Sequence, residues 1–240
     1  MALISREDII TEDNYPNSIK NNQLNLITLD KKIENCTKCH RLSSYIREIA
    51  KNKVRRFQDQ QYWGKPLSGF GDINAKLLIV GLAPAAHGGN RTGRMFTGDS
   101  SGDWLAKVLY KNGFSSKLTS EAKNDGLVLN NAYITAAVRC APPQNKPTKE
   151  EMQNCFDYLQ QEYKILKNVI VILCLGKIAY DTTCKLVHVK QEKFGHNILF
   201  NYDRIKILTS YHPSRQNTQT GKLTWKQWSA VFQKAKKMIE

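Results

Sequence analysis

Four short runs interrupt an otherwise polar chain: Lys76–Gly81, Ala132–Val138, Val169–Leu175 and Ile205–Ser210. Each is nearly continuous in apolar, β-branched residues rather than alternating, which is the pattern of strands covered on both faces. Around them the period changes to that of a helix. One helix is predicted after Ser100, where Trp104, Leu105, Val108 and Leu109 share a face. A second starts at Thr148, which pairs with Glu151 as a capping box; its apolar stripe runs through Met152, Cys155, Phe156, Leu159, Tyr163 and Leu166. A third spans about Lys177 to Leu186, and the last runs from Thr224 to Ile239. Strands alternating with helices predict an α/β fold, a parallel sheet with helices on both faces.

Upstream of the first strand the signal weakens. Residues 1–30 are polar and rich in asparagine (Asn14, Asn17, Asn21, Asn22, Asn25), and read as a loose arm before a single domain over residues 31–240. From Asp30 to about Gln61 the chain reads as helical, with a basic cluster at Lys51, Lys53, Arg55 and Arg56 that is either a solvated face or a phosphate-facing patch. No apolar stretch approaches the roughly 20 residues a membrane helix needs. Arg6, Glu7 and Asp8 stand where an export signal would be apolar, so a microbial cytoplasmic location without membrane contact is expected.

Charge narrows the partner. With 36 Lys and Arg against 21 Asp and Glu the net charge is +15, which points to an anionic partner, by default nucleic acid. In a parallel sheet ligands bind beyond the carboxyl ends of the strands. Three unusual loops leave the strands there: Gly81–Arg94, Arg139–Pro147 and His212–Gly221. Each mixes Gly or Pro with hydrogen-bonding or charged side chains, including His87 and His212. The first loop is Gly-rich but lacks both the Gly-Lys-Ser/Thr ending of a Walker motif and the Gly-x-Gly-x-x-Gly fingerprint, which disfavours nucleoside triphosphates and dinucleotides.

Six cysteines without a secretory signal argue for metal ligands or core thiols. Cys36 and Cys39 form a Cys-x-x-Cys turn; Cys140 ends a strand and Cys155 lies two turns into the next helix, so the four could approach one another. Such a set suits zinc or a 4Fe–4S cluster, and the spacing does not choose between them. Cys155 also falls on its helix's apolar face, as a core thiol would, and Cys174 and Cys184 read as core residues.

Read together, the segments GLAPAAHGGNRTGRMFTGDSSGDWL from Gly81, YITAAVRCAPPQNKPTKEE from Tyr133 and HPSRQNTQTGKLT from His212 resemble the family 5 uracil-DNA glycosylases. The resemblance runs from Cys36 onward. It implies a three-layer α/β/α sandwich with a central four-stranded parallel sheet, and a 4Fe–4S cluster on Cys36, Cys39, Cys140 and Cys155. The implied reaction is excision of uracil and other deaminated or damaged bases, such as hypoxanthine, from DNA by a monomeric enzyme. It also implies His212 as the donor to the departing base and Phe96 as the aromatic that stacks on it. Gly81, Ala83, Pro84, His87 and Ala136 would line the pocket, and Arg91, Ser214, Arg215, Gln216 and Thr220 would meet the DNA.

The departures are chemical. Ala83 stands where other families place a water-activating Asp, which leaves Asn90 as the group to polarise water; Asp99 reads as a helix cap. Ala136 stands where an Asn reads uracil in a related family, which implies a tolerant pocket. Where relatives often carry His-Pro-Ser-Pro-Leu, Arg215 and Gln216 replace the apolar wedge. No lysine is placed as a Schiff-base nucleophile, so strand cleavage is not expected. The other reading is a non-catalytic Fe–S or zinc protein that binds nucleic acid on the same fold.

Overall fold

The computed structural model describes residues 17–240, with side chains from residue 21 onward. Its core is one sheet, in the order β1 (Phe70–Gly71), β3 (Ala132–Ala136), β2 (Leu77–Gly81), β4 (Val171–Leu175), β6 (Ile205–Ser210), β5 (Leu199–Tyr202). The four predicted strands form its centre: β2 (Leu77–Gly81), β3 (Ala132–Ala136), β4 (Val171–Leu175) and β6 (Ile205–Ser210), all mutually parallel. The central four-stranded parallel sheet is as expected; two antiparallel edge strands, which were not anticipated, extend it to six. β1 (Phe70–Gly71) is only two residues long, and β5 (Leu199–Tyr202) is a half-exposed hairpin partner of β6 across the Asp203-Arg204 turn. Neither shows a continuous apolar run, because neither is covered on both faces.

The pleat assigns alternate residues to opposite layers. Leu77, Ile79, Ile134, Val171 and Leu173 pack with Leu105 and Val108 of α4 (Ser100–Lys111) and Trp228 and Phe232 of α8 (Trp225–Ile239). Leu78, Val80, Tyr133, Ile172 and Ile207 face Ala179, Tyr180 and Cys184 of α6 (Lys177–Leu186). Cys174 and Cys184 are core thiols of that second layer. Helix α5 (Lys149–Ile165) begins with the expected Thr148–Glu151 capping box.

The N-terminal expectation is corrected where it can be compared. Asn17–Glu34 is helix α1, not an arm; Leu29 and Ile33 of its apolar stripe are buried against Tyr158 of α5. The asparagines mask that stripe in the sequence. The rest of the proposed arm, residues 1–16, lies outside the described residues. The single helix expected to Gln61 is broken at the Cys36–Cys39 turn, after which α2 (His40–Lys51) and a 3-10 turn at Arg55–Phe57 follow. Among the described residues no helix is long and apolar enough to cross a membrane.

One buried ion pair fixes the exit of β3. Arg139 donates two hydrogen bonds to Glu162 of α5, at 2.9 and 2.6 Å, and both side chains are almost wholly removed from solvent. Thr135 donates to the same carboxylate at 2.6 Å and accepts from Arg139 at 2.7 Å. Buried pairs of this kind hold geometry rather than add net stability, and here Arg139 Nε is left without a partner. Here the geometry held is that of the Cys140 loop.

Candidate active site

The exits of β2, β3, β4 and β6 converge on one cavity of about 620 Å³, within the range of small-molecule sites. Its apolar walls come from Leu82, Met95, Phe96, Leu175 and Ile178, and its polar groups include Asp99, Asn145, Lys177 and His212. Phe96 and His212 face each other with ring centroids 5.8 Å apart and 33° between planes. Phe96 sits on Gly81, where a Cβ would meet the ring at 2.7 Å, and Gly102 of α4 leaves room for the Phe96 carbonyl. Its φ of +49° is uncommon for a bulky residue. Two glycines and a left-handed backbone therefore aim this ring into the cavity, and such strain is found at sites that need a fixed geometry.

His212 is held by its own carbonyl, which accepts from Asn217 Nδ2 at 2.8 Å. Burial pushes its pKa down to about 4, so the imidazole is neutral at physiological pH and carries one N–H to donate. Ala83 and Ala136 line the same cavity with only methyl groups. Gly81 serves as the floor for Phe96, whereas Pro84 is turned away beneath Gly89.

A second cavity of about 780 Å³ adjoins the first and shares Ala85, Asp99, Ser100, Asn145 and Arg215 with it. Its walls are polar, among them Tyr45, Arg56, Gln60, His87 and Arg91. His87 thus lies outside the first cavity, where its Nδ1 pairs with the Tyr62 hydroxyl at 3.0 Å. Desolvation, then Arg56 and Arg91, depress its pKa. Arg91 is largely committed within the protein: it donates to the carbonyls of His87 and Gly98 at 2.8 Å each and to Gln60, and it stacks 3.9 Å over Phe57. Arg215 is exposed at the shared rim and donates to Ser100 Oγ at 3.3 Å. Ser214 lines the first cavity and caps α7 (Arg215–Gln219). Gln216 and Thr220 are exposed but border neither cavity; Thr220 Oγ1 donates to the Gln216 carbonyl at 2.6 Å.

The expectation for Asn90 is corrected. It is fully buried, its Nδ2 donates to the Ile46 carbonyl of α2 at 3.2 Å, and it lines neither cavity. It ties α3 (Gly89–Thr92) to α2 through Nδ2, while its Oδ1 is buried without a hydrogen-bond partner among the described residues. The residues that sequence reasoning missed are Asn145, Lys177 and Ile178. Asn145 belongs to a loop already singled out for its prolines. What directs it is a pair of left-handed residues, Gln144 at φ 54° and Asn145 at φ 56°, which no local pattern announces.

The four candidate ligands share one neighbourhood. Cys140 is close enough to Cys155, Cys36 and Cys39 for each to raise its thiol pKa, after desolvation. Cys39 and Cys140 pack beside Cys155, and Cys39 Sγ accepts from Asn154 at 3.4 Å. All are free thiols. The donor type and location suit a thiolate-held metal group, yet among the described residues no three such side chains converge as a closed metal cage.

Comparison with known proteins decides the family. The model of the uracil DNA glycosylase superfamily matches residues 68–236. A type-5 uracil-DNA glycosylase of Pyrobaculum aerophilum is 43% identical over 204 residues, 85% of this chain and 89% of that protein. The chain belongs to the type-5 uracil-DNA glycosylases. A Thermus thermophilus member is 44% identical over 208 residues, covering 85% of this chain and 93% of its own. The type-4 enzyme of Pyrobaculum aerophilum is more distant, at 29% over 198 residues, 80% of this chain and 84% of that protein. With the family established, the cavity between Phe96 and His212 is the candidate active site of this glycosylase.

Proposed function

We propose that this enzyme hydrolyses the N-glycosidic bond of uracil flipped out of DNA, leaving an abasic site, and that it accepts hypoxanthine and other deaminated or damaged bases. The observation that carries the reading is the pairing of Phe96 with a desolvated His212 across one cavity at the strand ends. Flipping costs a few kcal/mol, which stacking of the base on Phe96 helps to offset. Bond cleavage leaves an oxocarbenium-like sugar and an anionic base. The neutral His212 donates its N–H to the departing base oxygen, where charge develops in a water-poor site. Ala83 and Ala136 place no side-chain donor against the base, so purine-sized lesions find room and little discrimination.

The second cavity is lined by Arg56 and Arg215 as well as by Asp99, Asp103 and Glu121; its arginine side suits the negatively charged backbone beside the flipped nucleotide. Ser214 at the start of α7 suits a flanking phosphate. Cys36, Cys39, Cys140 and Cys155 would hold a 4Fe–4S cluster, bound as thiolates. Its role is structural, since glycosidic hydrolysis moves no electrons; it would join the α1–α2 turn to the β3 exit and α5. The test is a duplex oligonucleotide carrying uracil, hypoxanthine or hydroxymethyluracil, incubated with enzyme and then treated with alkali. Alkali-labile cleavage at the modified base is expected; none on any of the three substrates would reject the reading. Brown purified protein with broad visible absorption is expected for the cluster, and colourless protein would reject it.

A further inference from the structure

Among the described residues none hydrogen-bonds the His212 ring; what is held is its backbone, on both sides. Downstream, its carbonyl accepts from Asn217 Nδ2. Upstream, the Tyr211 N–H donates to Nδ1 of His196 at 3.3 Å, and Ser210 Oγ lies 3.2 Å from the same nitrogen. The His196 ring also lies against the Tyr211 ring, with centroids 5.3 Å apart and 31° between planes. One imidazole therefore grips both the amide and the side chain of the residue before His212.

A local distortion of the sheet brings it there. Asn197 N–H donates to the Thr209 carbonyl at 2.7 Å and Thr209 N–H donates to the Ile198 carbonyl at 2.9 Å, so two residues leading into β5 stand against one of β6. That is the pattern of a β-bulge, which ends a ladder and re-aims a side chain. Asn197 takes a left-handed φ of 60° to make it. Thr209 Oγ1 donates to the Gly195 carbonyl at 2.7 Å, and Lys234 of α8 donates to the Asn197 carbonyl at 3.4 Å, which holds the bulge from two sides. Beyond it a side-chain nitrogen, not a carbonyl, accepts from Tyr211. His196 Nε2 is buried and meets no partner among the described residues. An unpaired buried polar group costs stability, so stability alone does not account for this ring. Desolvation lowers the His196 pKa against a smaller raising effect of the Gln227 backbone, which leaves the ring neutral and Nδ1 free to accept.

Resting on the glycosylase reading above, we propose that His196 is a positioning residue for base excision: its Nδ1 fixes the Tyr211 amide, and through it the direction in which His212 presents its N–H to the departing base.

H196F keeps a ring and removes the acceptor. Its single-turnover excision of uracil should fall about 10-fold to 100-fold, the scale of a slightly misplaced catalytic group, while affinity for abasic DNA stays near that of the wild type. H196N, whose amide oxygen can replace Nδ1, should recover to within about threefold of the wild type. Because His196 acts through His212, H196F/H212A should be no slower than H212A alone. The ¹⁵N shifts of the wild-type ring should report the Nε2–H tautomer at neutral pH, a measurement that needs no variant to fold. An Nδ1–H or doubly protonated ring would overturn the proposal. So would an H196F rate within about threefold of the wild type, an H196N rate more than about tenfold below it, or a double variant slower than H212A by the full H196F factor. A wild type inactive on uracil, hypoxanthine and hydroxymethyluracil would instead remove the glycosylase reading itself.

Discussion

The two adjoining cavities are built from the same loops and differ in how they treat charge. In the first, apolar walls strip water from His212 and drive its pKa to about 4. In the second, Arg56, Gln60 and Tyr45 leave a more open, more polar wall, and Arg91 is held by hydrogen bonds on its donors. A developing anion gains most from a donor in the dry compartment, where the local dielectric is low. A phosphodiester that stays charged throughout needs only the wet one. The division of labour follows from desolvation rather than from the number of polar residues on either side.

Breaking the dry compartment should cost the most. H212A should lower single-turnover excision of uracil by about 100-fold to 1,000-fold, as loss of one transition-state donor does, while binding to abasic DNA changes little. Unchanged rates would remove His212 from catalysis. F96A removes a stacking surface of about 1–3 kcal/mol and should lower excision about 10-fold to 100-fold. A136L should sharpen the contrast differently, by filling the cavity: excision of hypoxanthine should fall about 10-fold more than that of uracil, read from paired substrates.

On the wet side, R215Q should weaken binding to uracil-containing and undamaged duplexes alike by a few-fold. It should also reduce the slope of log affinity against log salt by about 1; a base-dependent effect would place Arg215 against the base instead. The smallest effect is on stability. His212 has a folded pKa of about 4 against a usual 6.5, so the unfolded chain takes up its proton first on acidification. Its contribution is fully present above about pH 6.5 and is lost as pH falls towards 4. Denaturant titrations of H212N should show less loss over that window than the wild type.

Legibility divides in the same way. The four core strands and the helices after Ser100, Thr148, Gly176 and Thr224 could be read because continuous apolar runs and caps are local signals. α1 was missed because its buried Leu29 and Ile33 sit among asparagines, and β1 and β5 because edge strands need no apolar run. His212, Phe96, Ala83 and Ala136 stood in motifs that fall at strand ends, so their convergence could be anticipated. Asn90 stood in the same motif, but its amide was claimed by the Ile46 carbonyl, a partner 44 residues away.

Residue order alone set which strands are buried, where helices start, and which loops gather at one edge of the sheet, because these depend on neighbours a few positions apart. It also carried the family, through long runs of matched residues. Whether a carboxylate in one of those loops serves only its helix or also borders two cavities depends on Gly88 lying beneath it. That contact, the left-handed turn at Asn145 and the dryness around His212 arise from groups brought together by folding, and only packing in three dimensions could set them.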